Sequence, residues 1–418
     1  MHYYDYKNNE LYCEDVPLTA IAQKAGTPCY IYSHAILQKR YNLFAEAFKG
    51  ADHLICFSLK SNASQAVLKT FADMGAGLDI VSGGELYRGL KAGFKPQNIV
   101  YSGVGKRPDE IDYALETGIK MFNVESLDEL DMINARAAVL NKKAAIAIRV
   151  NPNVDPKTHP YISTGLKKNK FGISIEGAFK AYAAAKDMSN IEIAGIDCHI
   201  GSQLTEVQPF ADALTNILQL VDRMRDELGI TLKYIDVGGG LGIRYSNEEP
   251  PKPDEYAKAL LKQLAGRGLS IILEPGRNLV GNAGVLITKV LYQKSNDIKN
   301  FVIVDAAMND LLRPTLYEAF HNIMPVVKRS SAIITADIVG PVCETGDFLG
   351  TEREIEKPEN GDLLAVMSAG AYGMTMASNY CSRLRAAEVM VKGDKFAVVR
   401  ERETYEDLVK GESIPSFL

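Results

Sequence analysis

The chain has 418 residues, 46% hydrophobic and 24% charged, with 47 Lys and Arg against 52 Asp and Glu for a formal net charge of -5. That length exceeds one ordinary core and points to two domains, one of which can be a large barrel. The small negative balance argues against a nucleic-acid or anionic-membrane partner, and the lack of an uninterrupted apolar run of about eighteen residues argues against a membrane span.

The opening Met1-His-Tyr-Tyr-Asp-Tyr-Lys-Asn-Asn-Glu10 has no basic segment leading into an apolar core, so no signal peptide is expected. From about residue 35 to 280, short β-type runs alternate with helical patterns. Strands are expected at Ile55–Leu59, Leu78–Val81, Ile99–Tyr101, Met121–Val124, Ala144–Val150, Ile191–Cys198, Leu232–Val237 and Ser270–Leu273. Helices are expected between them at 64–75, 84–92, 109–117, 126–140, 176–186, 210–228 and 253–266. Eight such units in tandem predict a closed parallel α/β barrel rather than an open doubly wound sheet, which needs a reversal of strand order. Beyond Gly281 the runs Val285–Tyr292, Phe301–Asp305, Ala332–Val339, Asp362–Met367, Glu388–Val391 and Lys395–Arg400 have polar turns and little helix between them. They predict a mostly β C-terminal domain. Leu11–Cys13 and Cys29–Tyr32 also read as strands, so the expected division is an eight-stranded barrel over residues 31–279 and a β domain of 1–30 plus 280–418. The six cysteines, at 13, 29, 56, 198, 343 and 381, lack paired metal-ligand spacing and read as reduced thiols of a cytoplasmic protein without a metal.

On a parallel barrel, chemistry collects where strands end. Lys60, in Cys56-Phe-Ser-Leu-Lys60-Ser-Asn-Ala63, closes an apolar run. In a dry pocket a neutral amine there can form a Schiff base with an aldehyde; in water it is an ordinary lysine. His199, in His199-Ile-Gly-Ser202, can stack on a planar heterocycle or serve only structure, and Ser202 can donate to a phosphate. The run Asp236-Val-Gly238-Gly-Gly240-Leu-Gly242 permits close approach of backbone N–H groups to an anion, although a tight turn explains it too. Glu274, in Glu274-Pro-Gly276-Arg277, can hold a heterocyclic nitrogen protonated, and a surface turn with an ion pair is the alternative. In the C-terminal part, Cys343 beside Glu344 suits proton donation or is buried filler.

Together with Arg313-Pro-Thr-Leu-Tyr317, Gly340-Pro-Val-Cys343-Glu-Thr-Gly-Asp347 and Gly370-Ala-Tyr372-Gly, these motifs stand in an order that resembles the diaminopimelate decarboxylases, pyridoxal-phosphate enzymes of the alanine-racemase-type fold. The likeness runs from about residue 26 to the C-terminus. It implies that Lys60 carries pyridoxal 5'-phosphate as a Schiff base, that His199 lies on the ring face and that Glu274 bonds the ring nitrogen. Ser202, Gly240, Gly276, Arg277 and Tyr372 would hold the phosphate. Arg277, Arg313, Tyr317 and Tyr372 would bind substrate, with Glu344 on its far ammonium and Cys343 as proton donor. Thr345 stands where members often have Ser. The resemblance further implies a homodimer in which Cys343 and Glu344 complete the partner's pocket, a loop over the barrel mouth from His159–Gly165 through Lys170–Gly172, and conversion of meso-2,6-diaminopimelate to L-lysine and CO2 as the last step of lysine biosynthesis. A decarboxylase of another basic amino acid or of a carboxylated polyamine is the runner-up. A racemase of this fold and a non-catalytic cofactor carrier fit less well, since neither accounts for Glu274 together with Cys343.

Overall fold

The computed structural model describes residues 4–154 and 170–418. The chain divides into two compact units, Leu37–Leu279 and the residues up to Ile36 together with Val280–Leu418.

The first unit is a closed barrel. His53–Ser58, Gly77–Ile80, Ile99–Tyr101, Met121–Val124, Ala144–Asn151, Ile191–Asp197, Tyr234–Asp236 and Ser270–Leu273 pair in that order, all parallel. Ser270–Leu273 returns to His53–Ser58 and closes the ring. The strands are buried along nearly their whole length, which is why they read as continuous apolar runs rather than as alternating ones. Helices follow most of them. Ser82, Ser126 and Ser174 cap three, each accepting from a backbone N–H three residues on, as expected of serine at an N-cap. The helix expected over 210–228 is observed as Gln208–Arg223 followed by a π-helical turn, Met224–Leu228.

Alternation along the strands divides the barrel interior into layers. Cys56, Val100, Met121, Ala147 and Ile272 form one buried apolar cluster, drawn from five strands. Two residues further along the same strands or just beyond them, on the same face, stand Ser58, Ser102, Asn123, Arg149 and Glu274, all buried. Asp79 and Asp236 join them through Gly77 and Tyr234. The floor of the barrel is therefore apolar, and the layer above it, toward the C-terminal ends of the strands, is polar and acidic.

The second unit is built on a nine-stranded sheet. Its main path runs Phe348–Glu356, Ile333–Val339, Asn300–Val304, Gly284–Ser295, Cys29–Ser33, Ala387–Lys392 and Lys395–Arg400. Leu363–Val366 pairs with Gly284–Ser295 and with Ile323–Pro325. Tyr4–Lys7, Glu10–Cys13 and Val16–Pro17 make a separate three-stranded sheet. Leu11, Cys13, Leu18 and Ile21 from the N-terminal segment pack in one core with Ile31, Val285, Ile287 and Val389. Tyr4–Lys7 and Val16–Pro17 were not foreseen, nor were two strands of the nine-stranded sheet. Ile323–Pro325 is three residues long and ends in proline, while Phe348–Glu356 carries Thr-Glu-Arg-Glu on a largely exposed stretch and lacks an apolar run.

Candidate functional site

Lys60 lies in a single 3₁₀ turn, Leu59–Ser61, immediately beyond the strand His53–Ser58. Its Nζ is 2.7 Å from Asp79 Oδ2, and its side chain is 40% exposed. What adjoins the amine is thus a carboxylate, not the dry pocket the sequence allowed. Parallel pairing of Ser58 with Asp79 brings them together, and Ser58 Oγ lies 2.8 Å from the same oxygen. Glu85 sits in the same neighbourhood, with its carboxyl pushed up to about 7 by burial.

Glu274 follows the last barrel strand and is buried. Ser102 Oγ donates to its Oε1 at 3.3 Å, and Asn123 Nδ2 stands 3.3 Å from both Glu274 Oε1 and Asp236 Oδ2. Carboxylate oxygens of Asp197, Asp236 and Glu274 all lie within 4.8 Å of one another. Burial, then the neighbouring Asp236, Asp79 and Asp197 charges, raise the Glu274 carboxyl well above the usual range, against the pull of Lys60. Burial and Asp79 push Asp236 up to about 6, although the Gly238 N–H favours its charged form. Arg149 offsets part of this charge: its Nε is 3.9 Å from Asp197, but its Nη1 is bonded to Glu125 at 2.7 Å.

His199 follows the strand Ile191–Asp197. Burial, then Arg149 and Lys60, lower its imidazole well below the ordinary range, so the ring is neutral. Nδ1 accepts from the Gly239 N–H at 3.3 Å, which leaves the ring proton on Nε2.

Three loops at strand ends approach through their backbones. A Cβ on Gly239 would come 2.2 Å from the Glu274 carbonyl oxygen, and one on Gly240, whose φ is +112°, would come 2.5 Å from Gly201 O. A Cβ on Gly276 would lie less tightly, 3.0 Å from Ser58 and 3.1 Å from Ser61. Only glycine fits at 239 and 240, and the result is a rim of small residues able to take an anion. Arg277 is buried, donating from Nη1 to Tyr245 Oη at 2.6 Å and from Nη2 to Ser202 Oγ at 3.0 Å. Its guanidinium is therefore already engaged.

The sheet unit holds the remaining residues. Arg313 opens the short helix Arg313–Tyr317, is buried, and donates to His321 Nε2 at 2.8 Å. His321 Nδ1 in turn bonds the Met367 carbonyl at 2.9 Å, which sets its tautomer. Cys343 and Glu344 are exposed on a loop organised by buried Asp347, whose carboxylate accepts from the Met308 and Val342 N–H groups at 2.6 and 2.7 Å. Tyr380 Oη donates to Glu344 Oε2 at 2.5 Å. Tyr372, at φ +56°, lies in a loop where a Cβ on Gly370 would come 2.0 Å from Val280 O. Most of the expected lid loop, His159–Gly165 included, lies outside the described residues.

Residues 34–281 match the pyridoxal binding domain of the pyridoxal-dependent decarboxylases. Over 414 residues, 99% of each chain, the protein is 51% identical to a diaminopimelate decarboxylase of Pseudomonas aeruginosa. The chain belongs to that family. It is also similar to the crystal structure of diaminopimelate decarboxylase from Helicobacter pylori complexed with L-lysine, with TM-score 0.91 and 45% identity over 94% of this chain and 98% of that one. The enzyme from M. jannaschii in co-complex with L-lysine aligns with TM-score 0.95 and 38% identity over 100% of both chains.

Several residues beside the expected ones were not singled out from sequence. Asp79, Asn123 and Ser102 sit in or just after short apolar runs, and Asp236 was quoted only as the start of a glycine motif. Tyr245 and Tyr380 are 32 and 36 residues from the side chains they bond. Barrel register could have found the first four; nothing in the sequence marks the two tyrosines. Among the described residues, no helix is long and apolar enough to cross a membrane.

Proposed function

We propose that this protein decarboxylates meso-2,6-diaminopimelate to L-lysine and CO2 with pyridoxal 5'-phosphate as cofactor. The observation that carries the reading is likeness over the full chain to enzymes of that name, so both the barrel residues and the Cys343-Glu344 loop fall within it. Two features of the barrel fit the cofactor. Its buried acids outnumber the cations beside them, with Asp79 Oδ1 and Asp197 Oδ1 left without a hydrogen-bond partner, and a protonated heterocyclic nitrogen would relieve that imbalance. The Gly238–Gly240 turn has room for no side chain, which suits a phosphate approached by backbone N–H groups.

When bound, the cofactor supplies an electron sink for the pair left on the α-carbon as CO2 departs. Lys60 Nζ is assigned as its covalent anchor, with Asp79 holding the amine in place beforehand. Glu274 keeps a proton on the ring nitrogen, and neutral His199 offers a flat face to the ring. Ser202, Gly240, Gly276 with the Arg277 amide, and Tyr372 take the phosphate. Arg313, Tyr317, Tyr372 and Arg277 orient the substrate carboxylate at the non-reacting end, Arg277 exchanging one of its present bonds to do so. Glu344 takes the far ammonium, and Cys343 Sγ delivers the proton that replaces CO2.

Cys343 and Glu344 are exposed in the single chain, which supports a homodimer in which each subunit lends this loop to its partner's pocket. Within that assignment the barrel unit binds the cofactor and the sheet unit carries substrate and interface residues. Free cysteines throughout the described chain support a cytoplasmic, reducing location. A site built on hydrogen bonds to both charges at the far end rejects analogues lacking them by about 10⁴ or more. Purified protein given pyridoxal phosphate and meso-diaminopimelate should yield lysine and CO2 in equal amounts; CO2 without lysine, or no CO2, refutes the assignment.

A further inference from the structure

The acidic layer poses a charge problem that the reaction alone does not solve. Asp79, Asp197, Asp236 and Glu274 are each at most 6% exposed, on four strands of the barrel. The cations facing them are Lys60, paired with Asp79, and Arg149, whose closest carboxylate is Glu125. Cys56, Cys198 and Tyr256 also face the cluster, but burial raises all three, so they stay neutral and add no charge. Four buried carboxylates cannot all ionise beside so little positive charge.

Geometry selects where a proton resides. Asn123 Nδ2 is 3.3 Å from Asp236 Oδ2 and 3.3 Å from Glu274 Oε1, so one amide group spans the two carboxyls. Ser102 Oγ lies 3.1 Å from the same nitrogen and 3.3 Å from Glu274 Oε1. Asp236 Oδ1 is already committed to the Gly238 N–H at 2.9 Å, which favours its ionised form. Among the described residues no backbone N–H donates to the Glu274 carboxyl, which reaches into the layer from just beyond the last strand.

We propose that Asp236 and Glu274 hold one proton between them before the cofactor docks, with Asn123 and Ser102 as positioning residues, and that Glu274 carries it. Asp236, rising only to about 6, is ionised at neutral pH, whereas Glu274 is driven further up by that same charge. This rests on the reading of Glu274 as the ring-nitrogen partner. Glu274 would give its proton to a ring nitrogen that arrives unprotonated: its O–H bond would break as the N–H bond forms, leaving Glu274 as the carboxylate that stabilises it. A ring arriving protonated meets the acid form, and one proton leaves to solvent. Either way the pair would end as two carboxylates, and cofactor affinity would be tied to pH through Asp236 as well as Glu274.

The test strips cofactor from purified holoenzyme with hydroxylamine, docks pyridoxal phosphate back, and follows the carboxylic-acid C=O band by difference infrared. Buried Asp197 is raised too, and Glu85 lies near 7, so each adds acid band of its own. The parent should show the band at pH 7 and lose part of it on docking, and Glu274→Gln should lack that docking-sensitive part. In Asp236→Asn the band should titrate away at least one pH unit lower, a tenfold shift in the proton equilibrium, because the neighbouring charge is gone. No docking-sensitive band in the parent, or one of undiminished intensity in Glu274→Gln, overturns the proposal. So does an Asp236→Asn midpoint equal to the parent's. Should Asp236→Asn not fold, the parent and Glu274→Gln arms still decide. The ring-nitrogen reading is tested separately, by the resonance of ¹⁵N-labelled cofactor in Glu274→Gln holoenzyme: an unchanged resonance removes that reading, whatever the infrared shows.

Discussion

Tyr380→Phe isolates a contact that the reaction scheme does not require. Tyr380 Oη donates to Glu344 Oε2 at 2.5 Å, a short bond to a carboxylate assigned to the substrate's far ammonium. A buried hydrogen bond to a charged group contributes about 1.5–3 kcal/mol. Here Tyr380 is 46% exposed and Glu344 is exposed, so solvent screening leaves only a small part of that contribution. Loss of a bond that only holds Glu344 in place should raise KM for meso-diaminopimelate about fivefold and leave kcat within about twofold. Initial rates over a range of substrate concentration measure both. Two controls make the result specific. In a Glu344→Gln background, Tyr380→Phe should have much less effect on KM, so the double-mutant cycle shows the two residues coupled. For 2-aminopimelate, which lacks the far amine, Tyr380→Phe should change KM little. A fall in kcat with KM unchanged, or equal effects on both substrates, would refute the reasoning and place Tyr380 with Cys343 in the chemistry.

Lys60→Ala should abolish the near-visible absorbance of bound cofactor and nearly all activity; a yellow, active variant contradicts the anchor. Cys343→Ala should keep the cofactor absorbance but turn over slowly, and unchanged turnover excludes Cys343 as sole proton donor. Arg313→Ala should lose substrate affinity, with some loss of stability as well because His321 then lacks its buried partner; decarboxylation as efficient as the parent's refutes its role at the distal carboxylate. The cofactor-free protein should also respond to pH through Asp236. Its folded-state pKa, about 6, lies above the usual Asp value, so the folded form binds the extra proton between about pH 4 and 6 and this contribution to stability is lost as pH rises through that window. Two pH units correspond to about 3 kcal/mol. Calorimetric melting of the cofactor-free proteins should therefore show Asp236→Asn gaining on the parent between pH 4 and 7, and a constant difference across that range contradicts the buried-charge account.

Most of the barrel was readable because its strands are buried on both faces and so appear as unbroken apolar runs, each ended by turn residues. Lys60, His199 and Glu274 stood out for the same reason, as polar residues just where such a run stops. Asp79 did not, because it lies inside Leu78-Asp-Ile-Val81 and its meaning comes from pairing with Ser58, 21 residues earlier. Asn123 was likewise hidden in Met121-Phe-Asn-Val124. Yet Asp79, Asn123 and Glu274 obey one rule, which alternation along a strand makes explicit: Cys56 and Ser58, Gly77 and Asp79, Val100 and Ser102, Met121 and Asn123, Ala147 and Arg149, Tyr234 and Asp236, Ile272 and Glu274. In each pair the first residue lies in or beside the apolar floor and the second, two positions on, belongs to the polar layer. Once eight strands are taken to close in parallel, that spacing places Asp236, Asn123 and Glu274 at one height. The acids of this barrel must then share either cations or protons, and the scarcity of buried cations in the same sequence positions argues for protons.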